Sequence, residues 1–246
     1  MSLPHAGKVD AIVWPEYAVP FDPNTHPQAK SLPDLLKEDT KVLVLGGQKD
    51  HGTDFYNTAF TQGQDGPLGE HVKNHTVHMF ADGIPGTTAE PINTPSGKIG
   101  TPICFDCDYQ DVMRKMTAKG AEFFLIPIMD AEPWTERQHL QHAQLFRHRA
   151  AENGRWLAIA ATSGQTQIID SRGNVQKKLP LTRPGVLTGT ICGHTHLTLF
   201  QRGGWLFGPL CLAALPLLLI LALFALHQRR KSGSVSLADG GFNDSL

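Results

Sequence analysis

The sequence predicts an α/β protein followed by one membrane-crossing helix, and three observations carry that expectation. Short apolar runs alternate with helix-length stretches ending in glycine between residues 9 and 192. Polar turns separate each pair. Trp205 to Leu226, WLFGPLCLAALPLLLILALFAL, then carries no charged residue at all.

In chain order, VDAIVW (9–14), KVLVLGG (41–47) and FYNTAFT (55–61) are strand-like, and QGQDG (62–66) reads as a turn after the third. KIGTPICF (98–105) is a further strand. After it, Asp108 with Asp111 three positions on has the look of an N-cap, so a helix is expected from about Tyr109 to Lys119, stopped by Gly120. AEFFLIPI (121–128) reads as a buried strand. Thr135 and Gln138 form a capping box for a helix through Asn153, with Leu140, Ala143, Phe146 and Ala150 at helical spacing and Gly154 as its stop. WLAIAAT (156–162), QTQIID (165–170) and NVQKKL (174–179) complete the strands, and the turn Ser171 to Gly173 joins the last two as a hairpin.

At a rise of about 1.5 Å per residue, Trp205 to Leu226 is long enough to cross a hydrocarbon core of about 30 Å. Arg229, Arg230 and Lys231 follow it, while Arg202 is the basic residue close on the other side. The positive-inside rule therefore places the C-terminus in the cytoplasm and residues 1–204 outside it, in the periplasm. Three parts are expected: a domain over 1–204, a transmembrane helix over 205–226, and a polar, disordered cytoplasmic tail over 227–246. The opening MSLPHAGKVDAIVW lacks the charged and apolar regions of a signal peptide, so either the topology is the reverse or this chain is the C-terminal part of something longer.

The bulk numbers exclude some functions. A formal net charge of -1 leaves no basic surplus to track a phosphate backbone, so nucleic acid is not expected as a partner. The four cysteines, Cys104, Cys107, Cys192 and Cys211, are too scattered for a disulfide framework, and no second C-x-x-C completes a zinc site with Cys104 and Cys107. The histidine pairs His75/His78, His139/His142 and His194/His196 come without an H-E-x-x-H pattern and read as loop or surface residues. No metal and no cofactor are expected.

Chemistry is expected where strands end, because there an α/β sheet presents its reactive groups. Glu16 follows VDAIVW through the rigid WPE turn. Cys104 ends the strand KIGTPIC, just before a helix whose N-terminus would favour a thiolate. Lys73 lies in EHVKNHTVHMF, between the third strand and the cysteine strand; its rival Lys98 begins the cysteine strand, at the far end from Cys104. A carboxylate, an ammonium and a thiol can together attack a carbonyl or nitrile carbon: the first takes the thiol proton and the second stabilises the developing negative charge. Cys107, past the strand end, is expected to be a spectator.

These segments resemble the carbon-nitrogen hydrolase (nitrilase) superfamily, which uses Glu, Lys and Cys in this chain order. VWPEYAVP matches the general-base turn at Glu16, KNHTVHMFADG the lysine segment at Lys73, and GTPICFD the nucleophile segment at Cys104. The similarity continues through GAEFFLIPIMDAEPW, QHLQHAQLFRHRAAENGRWLAIAATSG and the hairpin QIIDSRGNV. The resemblance implies a thioester acyl-enzyme and an αββα four-layer sandwich whose first strand and helix normally precede the WPE strand; only eight residues precede it here, so the N-terminal strand is expected to be missing and the 1–204 domain truncated. The WPE turn, the QH…R-A-x-E-x-G-R helix and the final apolar helix look most like the apolipoprotein N-acyltransferase branch. That branch implies a phospholipid acyl donor, a lipoprotein acceptor and a membrane setting.

Departures from the branch are also visible. The lysine segment usually runs into a Pro-Phe-Gly-Glu string, replaced here by Val77 to Asp82, so the family's second glutamate is best matched by Asp82. Two residues past the nucleophile the usual Glu is Asp106, and MDAEPW replaces an aromatic-rich loop. Asp82 and Asp106 are therefore the expected supporting residues. The departures keep open an amidase or nitrilase-like hydrolase of a small amide or nitrile, and a membrane-tethered binding domain without turnover.

Overall fold

The computed structural model describes residues 1–181 and 183–235, with side chains in the last helix up to Arg229. The chain divides into two compact units, Met1–Arg202 and Gly203–Leu246.

The first unit holds two sheets. Strands β1 (Ala11–Val13), β2 (Val42–His51), β3 (Asp54–Gly63) and β4 (Gly66–Val72) lie side by side in that order. β1 runs parallel to β2, and the rest are antiparallel. The second sheet is built from β5 (Ile92–Thr94), β6 (Gly97–Gly100), β7 (Phe123–Ile128), β8 (Leu157–Ala161), β9 (Gln167–Ile169) and β10 (Val175–Lys178), in the spatial order β10-β9-β8-β7-β6-β5. Its centre, β6-β7-β8, is parallel. Parallel neighbours need a crossover, and α1 (Asp111–Ala118) and α2 (Glu136–Asn153) supply the two.

Burial on both faces explains why the central strands read as continuous apolar runs rather than alternations. Val42 and Val44 of β2 meet Ile92, Ile99, Phe123 and Leu125 between the sheets. Leu43 and Leu45, on the opposite face, pack with Ile12, Phe60, Leu32 and Leu35. Likewise Phe124, Ile126 and Ile128 turn from the sheet interface to Val112, Met113, Met116, Phe146 and Ala150 of the two helices. Each such side chain contributes about 1.5–3 kcal/mol by leaving water. The expected sandwich is thus present as four layers, with the 3-10 segment Pro27–Leu35 covering the outer face of the first sheet.

Several local expectations shift. β2 and β3 pair along ten residues each, longer than the apolar runs alone, because their hairpin extends into solvent at His51 and Asp54. β4 occupies part of what read as turn and lysine loop, its glycines, proline and polar residues giving no continuous apolar signal. The strand containing KIG stops at Gly100, and Cys104–Cys107 forms a short 3-10 turn instead of a strand end. α1 begins at Asp111, and its N-cap, Gln110, makes no side-chain cap; Asp108 faces His142 instead. α2 begins and ends as expected, with the Thr135–Gln138 capping box and Gly154 left-handed at φ 64°.

The second unit is dominated by α3 (Phe207–Val235). Residues Gly204–Arg229 are long and apolar enough to cross a membrane, with a mean hydropathy of 2.7 and none of the span buried in protein. The helix continues beyond Leu226 to Val235. The remainder of the expected tail, 236–246, lies outside the described residues.

Candidate active site

Glu16 stands in the turn that leaves β1. The turn is pinned from both sides: the Trp14 N–H donates to Val44 O at 2.7 Å, Gly46 N–H to Pro15 O at 3.1 Å, and the Thr162 hydroxyl to Glu16 O at 3.0 Å. β2 passes so close that a Cβ on Gly46 would lie 2.5 Å from Glu16 Cα. Only glycine leaves room there. Lys73 follows β4 directly, and its backbone N–H donates to Asn57 O at 2.9 Å.

These placements bring three of the expected residues together. Lys73 Nζ lies 2.8 Å from Glu16 Oε1 and 2.8 Å from Asp82 Oδ2. Asn57, a residue the sequence did not single out, donates its amide to both carboxylates, at 2.7 Å to Glu16 Oε1 and 2.8 Å to Asp82 Oδ1. Tyr17 adds a hydroxyl to Asp82 Oδ1 at 2.7 Å, and the Val77 N–H donates to Asp82 Oδ2 at 2.8 Å. Asp82, expected only as the match to the family's second glutamate, thus lies against Lys73 on a segment that departs from the branch pattern.

One ammonium between two carboxylates makes their charge states unequal. Burial works against the charge on Lys73, but Glu16, Cys104 and Asp82 hold it above the ordinary lysine range. Asp82 resists its own burial through Lys73, Val77 and Tyr17, which lower it below the usual carboxylate range. Burial raises Glu16, with Lys73 only partly opposing. Its second oxygen, Oε2, is buried and has no hydrogen-bond partner among the described residues. A buried carboxylate oxygen left open in this way has a lone pair free to accept a proton.

Cys104 sits at the first position of the 3-10 turn with φ 42°, in the left-handed region where a side chain carries strain. Burial and Glu16 push its thiol well above the ordinary cysteine value, with Lys73 opposing. A short 3-10 turn stands where a helix N-terminus is expected, so the dipole expected to favour a thiolate is replaced by burial, which favours the thiol. Its Sγ contacts Met129 O at 3.5 Å. Cys107 is fully buried in the core beside α1 and α2, where it packs as a small apolar residue.

Asp106 is also fully buried but joins the network elsewhere. Its carboxylate accepts from Ile103 N at 3.0 Å, Asn74 N at 2.9 Å and His75 N at 2.8 Å, and pairs with His71 Nε2 at 2.9 Å. It ties the cysteine turn to the lysine loop. Its reach is structural, through backbone amides on both segments.

A second polar cluster borders Cys104, and here the surface reading of the histidines fails. His139 and His142 are buried, because one face of α2 packs onto Asp130 just beyond β7. His139 Nδ1 lies 2.9 Å from Asp130 Oδ2 and His142 Nδ1 2.6 Å from Asp130 Oδ1, while His142 Nε2 is 3.1 Å from Asp108 Oδ1. Burial disfavours the His142 cation, but Asp108 and Asp130 raise its pKa to about 9. The signal was present as His139 and His142 three apart, one helical turn, in a helix after an acid. His75 is half-buried and pairs with Asp111 at 2.7 Å.

Two mixed sheets carrying a glutamate, a lysine and a cysteine on their connecting turns define a nitrilase-type α/β protein. A family model described as carbon-nitrogen hydrolase matches residues 2–195, and the chain belongs to that family. It is 29% identical to the apolipoprotein N-acyltransferase of Geobacter metallireducens, over 92% of this chain and 47% of that protein. To the apolipoprotein N-acyltransferase of Shewanella oneidensis it is 28% identical, over 79% of this chain and 44% of that protein. The chain thus spans less than half the length of these two relatives. Among solved structures, a carbon-nitrogen hydrolase from Helicobacter pylori superposes with a TM-score of 0.61 at 20% identity, covering 72% of this chain and 76% of that one.

Proposed function

We propose that this chain is the catalytic part of a membrane-anchored N-acyltransferase of the apolipoprotein N-acyltransferase type, working through Glu16, Lys73 and Cys104. The observation that carries the reading is the buried Glu16 carboxylate, held by Lys73 at 2.8 Å through one oxygen while the other stands open. The curated relatives bear the acyltransferase name, and the apolar span Gly204–Arg229 supports a membrane setting.

In this mechanism Glu16 takes the Cys104 thiol proton as the sulfur attacks the ester carbonyl of a phospholipid. The Lys73 ammonium stabilises the oxyanion. The C–O bond then breaks, and Glu16 returns the proton to the departing alkoxide, leaving a thioester. An amine on a lipoprotein attacks the thioester next. Its proton passes to Glu16, the C–S bond breaks, and the thiolate recovers the proton. Asp82 and Asn57 keep Lys73 and Glu16 in register, and Asp106 holds the cysteine turn against the lysine loop. In the proposed division, residues 1–204 form the catalytic domain outside the cytoplasm, 205–226 cross the membrane and the following basic residues face the cytoplasm.

Intact-mass analysis of the detergent-solubilised chain after incubation with phospholipid tests this directly. The expected result is one acyl mass on Cys104, discharged faster by a lipopeptide amine than by water. Discharge by water alone would make the chain a hydrolase. Absence of any Cys104-dependent adduct, with phospholipid or with simple amides, would overturn the catalytic reading.

A further inference from the structure

We propose that Cys104, Asp130 and His142 form a binding site for one zinc-class divalent ion, whose occupation silences the nucleophile. The binding claim stands on the geometry of these residues; the silencing rests on the role assigned to Cys104 above.

One donor atom from each of the three residues lies within 4.8 Å of the others, and all three residues are buried. A thiol, a carboxylate and an imidazole make the mixed S, O, N set that suits zinc, which prefers tetrahedral sites with bonds of about 2.0–2.3 Å. Ligands around such an ion stand about 3.5 Å apart, so the present spacing closes with small side-chain rotations. The three residues come from three separate elements: the 3-10 turn after β6, the chain just beyond β7, and the inner face of α2. A site assembled across elements in this way is invisible to spacing patterns.

The outer partners of a metal site are already in place. Asp130 is held by His139 at 2.9 Å and by the Ser163 hydroxyl, which donates to Asp130 O at 2.5 Å. Both ring nitrogens of His142 face carboxylates, Asp130 Oδ1 at 2.6 Å and Asp108 Oδ1 at 3.1 Å. Whichever nitrogen takes the metal, the other keeps a carboxylate that orients the ring. Gly164, with φ 107°, makes space for the acid: a Cβ there would lie 2.4 Å from Asp130 Oδ2. On binding, Cys104 releases its thiol proton, and thiolate plus carboxylate balance the dication. The lone pair that would attack an acyl carbon is then shared with the metal.

The test uses the untagged full chain in detergent, stripped with chelator and titrated with zinc by calorimetry, with X-ray absorption on the loaded protein. The expected result is one ion per chain, a Zn–S bond near about 2.3 Å, and affinity weakened by about tenfold or more in His142→Gln. His196→Ala should leave affinity unchanged. Zinc should also block alkylation of Cys104 by iodoacetamide. Should His142→Gln fail to fold, cobalt added to the wild-type chain provides the second reading, through a thiolate-to-cobalt absorption band that Cys104→Ser removes. Failure to bind, a shell without sulfur, or unchanged affinity in His142→Gln would overturn the proposal. A chain that binds zinc through Cys104 yet forms no acyl adduct would sink the acyltransferase reading and leave the metal site standing.

Discussion

The Glu16–Lys73–Asp82 cluster and the Asp108–Asp130–His142 cluster both border Cys104, and both set one cation between two carboxylates. They differ in which cation it is. Lysine keeps its charge far above neutral pH, so the first cluster holds a constant field on the nucleophile. Histidine can lose its proton or exchange it for a metal, and so the second cluster is adjustable. They also differ at the acid nearest the cation: Glu16 leaves one buried oxygen open, whereas both Asp130 carboxylate oxygens meet a histidine and the open buried oxygen of the second cluster belongs to Asp108.

The sharpest way to break this contrast is at the two cysteines. Cys104→Ala should abolish the acyl adduct, while Cys107→Ala should leave it intact, both read by mass spectrometry. Next in size, Glu16→Gln should slow acylation by about 10²–10⁴-fold, the range for loss of a positioned base. Because burial raises Glu16, the acid limb of the wild-type pH–rate profile should lie above the ordinary glutamate value of 4.5 and vanish in the variant. If the profile instead falls away only below 4.5, the base is another group.

Asp106→Asn should cost about 3 kcal/mol in chemical denaturation, since it breaks a fully buried pair with His71 and weakens three backbone hydrogen bonds. A catalytic Asp106 would lower acylation while stability held, the opposite signature. Gly46→Ala should destabilise by about 1–3 kcal/mol, as an added methyl collides with the Glu16 backbone. The smallest effect concerns Asp82, whose folded pKa is lowered. Its contribution to stability is present above the unfolded value near 3.8 and is lost as pH falls through the folded pKa. The melting-temperature gap between wild type and Asp82→Asn should therefore be widest near pH 7 and shrink in acid; a gap independent of pH would show that Asp82 acts without its charge.

The elements readable in the sequence were those whose signal is local. The Thr135–Gln138 box and Gly154 bound α2 because capping is a contact between residues three or four apart. The apolar runs of β2 and β7 marked strands buried on both faces. β4 gave no such mark, because glycine, proline and charged or polar residues interrupt any apolar run and only His71 is buried. Cys104 was placed at a strand end by its apolar run, but Pro102 and the left-handed φ at Cys104 take the chain out of the sheet first.

Composition and order along the chain were enough for the α/β class, the apolar span, and Glu16, Lys73 and Cys104 as the residues to watch. Tertiary structure alone decided that Asn57 bridges Glu16 and Asp82, that Asp106 clamps two loops, and that His139 and His142 are buried on Asp130 beside the cysteine. The reason is the range of the forces involved. Propensity, capping and hydrophobic patterning act over a few residues and leave a trace in sequence, whereas a buried charge finds its partner wherever the fold carries it.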